Sequence, residues 1–235
     1  MTEHWVDVSH WQGIVNWNVC APKVDGAIIK MSEYEEDDQY RRNVDECKSR
    51  GKRFAVYHFW HDHISVKTQI DLIQKLNTYG APVALNVEGK SYQLANIAKR
   101  SERLMALCYA LKDAGFLPTM YTRKTIWDQH ITASILWQNF PLWVANYGVT
   151  KPALPRDWTK WYVWQYSNTG KGTDYGINPV SNKFIDLDTV KQEWIDFYWP
   201  TVVPPPEPPP PPVETGVPEV LTGTVGDKTY TWRLE

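Results

Sequence analysis

The sequence predicts an α/β chain built as an irregular β/α barrel of the TIM-like kind, followed by a Pro-rich linker and a short C-terminal tail. Three observations lead there. Eight short apolar runs are bounded by Gly, Pro or polar clusters. Helical patterns separate several of them in the first half. The composition breaks abruptly at Pro200, where TVVPPPEPPPPPVE (201–214) begins.

The runs are HWVDVS (4–9), GAIIKMS (26–32), RFAVYHFW (53–60), PVALNVE (82–88), PTMYTR (118–123), PLWVANY (141–147), YVWQYS (162–167) and FIDLDTV (184–190). Between them, 37–51 reads as a helix with a Gly stop. The stretch 65–80 reads as a helix with a Ser cap and a Gly stop. The stretch 91–115 places Leu94, Ile97, Leu104, Leu107 and Leu111 near one helix face. Connections after residue 140 are too short for regular helices. Strand–helix alternation with eight strands predicts a barrel over 1–199, irregular in its second half. Residues 200–214 read as a polyproline II spacer of about 3.1 Å per residue. The tail, 215–235, is too short for a core of its own and reads as a β-hairpin or docking segment.

Composition narrows the function. A net charge of −2 argues against nonspecific grip on nucleic acid. No run approaches the roughly 18–20 apolar residues of a membrane span, so no membrane insertion is expected. MTEHWVDVSHWQG has no basic region followed by an apolar run, so no signal peptide is expected. Cys20, Cys47 and Cys108 are far apart and odd in number, which predicts reduced thiols. HDH (61–63) has nothing nearby to complete a metal site, and neither a metal nor a cofactor is expected. The 13 Trp and 13 Tyr fit two readings, a sugar-stacking cleft or a tryptophan-filled core.

In a β/α barrel the working residues lie at the C-terminal strand ends. Those ends carry Asp7 with Ser9, His10, Trp11 and Gln12; Lys30 and Glu33; Tyr57, His58 and Trp60; and Asn86 and Glu88. The later ends carry Tyr121, Asn146, Tyr147, Gln165 with Tyr166, and Asp186 with Asp188. Each has an ordinary structural explanation: a turn residue for Asp7, a solvated ion pair for Lys30 and Glu33, a satisfied core histidine for His58. Their convergence is the argument for a site. Asn86 and Glu88 are two apart on a strand and so share a face.

These residues resemble the glycoside hydrolase family 25 muramidases, lysozymes of bacteria and their phages. DVSHWQG (7–13) is similar to that family's opening strand and turn. AIIKMSE (27–33), YHFW (57–60), PLWVANYG (141–148), WQYS (164–167) and IDL (185–187) follow in the family's order. The resemblance implies cleavage of the β-1,4 bond between N-acetylmuramic acid and N-acetylglucosamine in peptidoglycan. It implies Glu88 as general acid and Asp7 and Asp186 as supporting carboxylates. Lys30, Glu33, Tyr57, His58, Trp60, Tyr121, Asn146, Tyr147 and Gln165 are expected to line the substrate cleft. It also implies synthesis in the cytoplasm, with action on the wall after holin-type release or from a virion.

The family's catalytic strand ends in Asp-x-Glu, whereas this chain has Asn86-Val87-Glu88. An amide cannot replace a carboxylate nucleophile or a general base. It can hold a substrate acetamide that itself attacks, because its carbonyl accepts the acetamide N–H. Three functions therefore stand: a muramidase, an inactive peptidoglycan-binding module, or a virion-associated structural or delivery protein. In the last, a protein partner would be held through residues 213–235.

Overall fold

The structure, a computed structural model, describes residues 1–89, 92–180 and 182–200, and the backbone of 220–225 and 228–233. The chain forms two compact units, Met1–Pro200 and Thr201–Glu235. The segment read as a spacer lies, from residue 201 on, outside the described residues, as does 215–219. In the second unit, Val220–Val225 (β9) pairs antiparallel with Lys228–Arg233 (β10).

The first unit is a closed eight-stranded barrel, in strand order β1 to β8. The strands are β1 (Thr2–Val8), β2 (Gly26–Ser32), β3 (Arg53–Phe59), β4 (Val83–Asn86), β5 (Thr119–Thr122), β6 (Leu142–Ala145), β7 (Val163–Lys171) and β8 (Phe184–Lys191). All eight fall on the expected runs. Strands β1 to β7 are mutually parallel where they pair. β8 closes the barrel antiparallel to both β7 and β1. The rule that places working residues at C-terminal strand ends therefore fails for β8. Its N-terminal half, carrying Asp186, lies opposite Asp7.

Strand alternation sorts the core into two layers. Trp5, Ile28, Ala55, Ala84, Trp143 and Val163 form one cluster, the barrel interior. Their sequence neighbours Val6, Ile29, Val56, Leu85 and Val144 belong to the other, beneath the helices. Gly26 has no room for a side chain: a Cβ there would come 2.5 Å from the Trp5 ring. Trp194 and Ile195 of α6 (Gln192–Tyr198) join the interior cluster. Trp194 Nε1 donates to Thr119 Oγ1 (3.0 Å) at the start of β5, so α6 covers the end of the barrel remote from the site.

The outer layer holds α2 (Tyr40–Ser49), α3 (Val66–Leu76) and α4 (Ile97–Asp113), after a single turn, α1 (Trp17–Cys20). Each long helix is shorter than the sequence suggested. In α3, Ser65 accepts from the Thr68 N–H as expected. The helix stops early because the Asn77 side chain bonds both the N–H and the C=O of Ala81. α4 begins at Ile97, capped by Asn96. The residues before it are diverted: Gln93 N and Leu94 N donate to the buried carboxylate of Asp62, which also pairs with Arg100 at 2.9 Å. Leu104, Leu107 and Leu111 are buried in α4, but Ile97 is exposed and Arg100 takes an inner position. Between β5 and β6 lies one short helix, α5 (Lys124–His130), and no α-helix forms from 140 to 191 among the described residues.

Most tryptophans serve the core. Trp5, Trp17, Trp60, Trp127, Trp137 and Trp194 are fully buried, whereas Trp11 is 69% exposed. Cys20, Cys47 and Cys108 are buried free thiols. No helix among the described residues is long and apolar enough to cross a membrane.

Candidate active site

The inward-facing residues at the open end of the barrel line a cavity of about 460 Å³. β1 contributes Asp7, β3 Tyr57 and Phe59, and β4 Asn86, with Glu88 two residues beyond on the same face. β5 contributes Tyr121, β6 Trp143, β7 Gln165 and β8 Asp186. Lys30, Glu33 and His61 line one side of the cavity. Ser9, Gln12, the exposed Trp11 and Asn182 also border it.

The turn after β1 is locally determined. The Ser9 N–H donates to Gln12 Oε1 (2.8 Å), Ser9 Oγ accepts from Trp11 N, and Gly13 leaves the turn at φ 63°. The Trp11 ring lies 4.8 Å from His10, whose Nδ1 meets Asp37 Oδ2 at 2.5 Å.

A chain of side chains runs behind the floor. Arg123 donates to the Tyr147 hydroxyl (3.1 Å). Tyr147 and Tyr121 both donate to Gln165 Oε1, at 2.5 and 2.9 Å, and Gln165 Nε2 donates to Asp7 Oδ2 at 2.6 Å. Asp7 and Gln165 are both buried. Burial, reinforced by Asp186 and Asp188, holds Asp7 well above the usual carboxylate range; the Gln165 hydrogen bond opposes this only in part. Burial and the Glu88 charge push Asp186 up to about 6, against the pull of Arg123. Tyr57 and Tyr121, buried and facing these acids, stay far above their ordinary values.

On the side wall, Lys30 is buried and donates to Glu33 Oε2 (2.8 Å), and Glu33 Oε1 meets His61 Nε2 at 2.9 Å. His61 stacks on Tyr34 at 4.3 Å. Burial alone would raise Glu33, but the bonds from Lys30 and His61 outweigh it and hold the carboxyl below its ordinary value.

Four expected cleft residues lie elsewhere. His58 is on the outer face of β3, bonded to Ser32 Oγ (2.9 Å) and Gln69 Oε1 (3.1 Å), and fully buried. The alternation that turns Tyr57 inward turns His58 outward. Trp60 lies in the outer core. Asn146 accepts from Ala153 N (2.8 Å) and so organises the loop after β6. Tyr147 stands behind Gln165, outside the residues that line the cavity. Conversely, Phe59, His61, Trp143 and Asn182 line it without having been singled out. The inward parity of Tyr57 would have found Phe59, and Tyr147, in the run that forms β6, shares its parity with Trp143. Nothing local marks Asn182.

Paired inward acids, a neutral amide and an aromatic rim in a cleft suit acid-assisted chemistry on a polar, extended substrate. The sequence model of glycosyl hydrolases family 25 matches residues 6–175. The chain belongs to glycosyl hydrolases family 25.

Lysozyme M1 of Streptomyces globisporus is 27% identical over 207 residues, covering 76% of this chain and 66% of the relative. This chain thus spans just under two thirds of that relative's length. Among solved structures, the lysozyme of Streptomyces coelicolor aligns with a TM-score of 0.70 at 24% identity, over 80% of this chain and 91% of that one. The catalytic domain of an endolysin from Listeria monocytogenes bacteriophage P40 aligns with a TM-score of 0.64 at 19% identity, over 84% and 97%. At these identities the structural matches establish the family 25 fold.

Proposed function

We propose that this chain is a muramidase that hydrolyses the β-1,4 bond between N-acetylmuramic acid and N-acetylglucosamine in bacterial peptidoglycan, with the substrate's own acetamide as nucleophile. One observation carries the reading. Asn86 Oδ1 is buried at the cleft floor and accepts no hydrogen bond from any described residue. A buried carbonyl without a donor is costly, and an acetamide N–H arriving at the cleft would satisfy it.

In this mechanism Glu88 gives its proton to the glycosidic oxygen as the C1–O bond breaks. The acetamide carbonyl oxygen bonds to C1 and forms a cyclic oxazolinium ion, its N–H held by Asn86. Water then attacks C1, Glu88 takes back a proton, and the ring opens with retained configuration. Asp186 supplies negative charge near the cationic centre. Family membership and the lysozyme named above support the substrate class, and with it action on the cell wall.

A second reading has its own observation. The residue at 86 is an amide where the resemblance calls for a carboxylate, which suits a module that binds peptidoglycan without cutting it. Dye release from labelled peptidoglycan separates the two, using the parent, Glu88→Gln and Asn86→Asp. Release by the parent that Glu88→Gln abolishes supports acetamide participation. Release by Asn86→Asp alone means a binding protein with an intact cleft.

A further inference from the structure

Asp188 has no part in the scheme above, yet it is the most deeply placed acid of the barrel. It is fully buried on the inward face of β8, two residues from Asp186, and does not line the cavity. The β-ladder sets it opposite Trp5 on β1 and Gln165 on β7. Its Oδ1 accepts from Trp143 Nε1 at 2.7 Å. Its Oδ2 is buried and receives no N–H or other fixed donor among the described residues. The Asp7 carboxyl, two residues along β1 from Trp5 on the same inward face, lies within hydrogen-bonding reach.

Two carboxylates in contact need a proton between them, because like charges at that distance in a dry site do not both persist. The donor chain behind the floor says which oxygens share it. Arg123 occupies the Tyr147 oxygen, so Tyr147 turns its own hydrogen to Gln165 Oε1. Tyr121 does the same. The Gln165 amide nitrogen is thereby directed to Asp7 Oδ2, which acts as acceptor. Asp7 Oδ1 and Asp188 Oδ2 are then the two oxygens left to share a proton.

We propose that Asp188 is a positioning residue that shares one proton with Asp7: the proton lies between Asp7 Oδ1 and Asp188 Oδ2, and the pair holds one negative charge behind the cleft floor. The other groups facing the pair are Asp186 on β8, Tyr57 of β3, Tyr121 of β5 and Tyr166 of β7. His4 of β1 bonds the Asp188 backbone. No cation stands among these groups to neutralise a second charge. Burial and the neighbouring acids raise both members.

The consequence for catalysis rests on the muramidase reading. Asp7, with both oxygens engaged, is a fixed wall of the cleft. The full charge closest to the reacting centre is then left to Asp186.

The test compares the infrared carbonyl band of buried protonated carboxyls at pH 8 in the full chain, Asp188→Asn and Asp7→Asn. At that pH Asp186, with its value near 6, is ionised. In Asp188→Asn the new amide can still accept from Trp143 and donate to Asp7, which then ionises. The expected result is a loss of one protonated carboxyl per molecule in each variant relative to the parent. An unchanged band in Asp188→Asn overturns the proposal. This measurement does not need activity, so it stands even if no variant releases dye and the muramidase reading falls. If the parent does release dye, Asp188→Asn is expected to lower kcat about 100-fold with KM unchanged. An unchanged kcat overturns the positioning role.

Discussion

Gln165 Nε2 donates to Asp7 Oδ2 at 2.6 Å, joining residues 158 positions apart across the floor of the barrel. The amide is matched to its site at both ends, with two hydroxyl hydrogens on its oxygen and an acid on its nitrogen.

Replacing Gln165 by Glu keeps the shape and removes the donor. At pH 8 the new carboxylate would face Asp7 without a proton. The expected cost is about 2–3 kcal/mol of stability, the scale for a buried charged group stripped of its partner. At pH 5 the new carboxyl takes up a proton and the cost shrinks. Urea unfolding at the two pH values measures this.

Asp186 holds its proton up to about pH 6 when folded and gives it up near 3.8 when unfolded. Between these values the folded chain binds more protons, so this group's contribution to stability falls as pH rises through the window. Asp186→Asn is therefore expected to stabilise the protein at pH 7, by roughly 1–2 kcal/mol after allowing for partial exposure. The gain should vanish at pH 4. Thermal unfolding across that range tests it, and a less stable variant at pH 7 would contradict it.

His58 titrates in the opposite sense. Burial holds its folded value at about 4, against an ordinary 6.5, with Gln69 opposing only in part. The unfolded chain binds the extra proton between these values, so stability falls as pH drops from 6.5 to 4, by about 3 kcal/mol. His58→Gln is expected to flatten that slope. Peptidoglycan binding at pH 7 should persist in any folded His58 variant, since the ring never reaches the cleft.

Much of the site was legible because β-strands alternate. Asn86 and Glu88 are on one face whatever the fold, and the Tyr57 parity carries Phe59 with it. The same rule shows why His58 and Asn146 were misplaced. Both faces of a barrel strand are apolar, one toward the interior and one toward the helices, so a polar residue in the run does not announce its side. Likewise, the α4 start could not be read from 91–96, since the group that diverts those residues is Asp62, more than 30 positions away.

By itself the sequence determined the strand cadence, the faces shared within each strand, the helix cap at Ser65, and the order of motifs that marks the family. These depend on neighbours a few residues apart. Only the tertiary structure decided that β8 runs against the other strands, which sets Asp186 opposite Asp7 and brings Asp188 beside it. Strand direction follows from barrel closure, and the proton affinity of these acids follows from their burial together. Both are long-range consequences of packing, carried by no local stretch of chain.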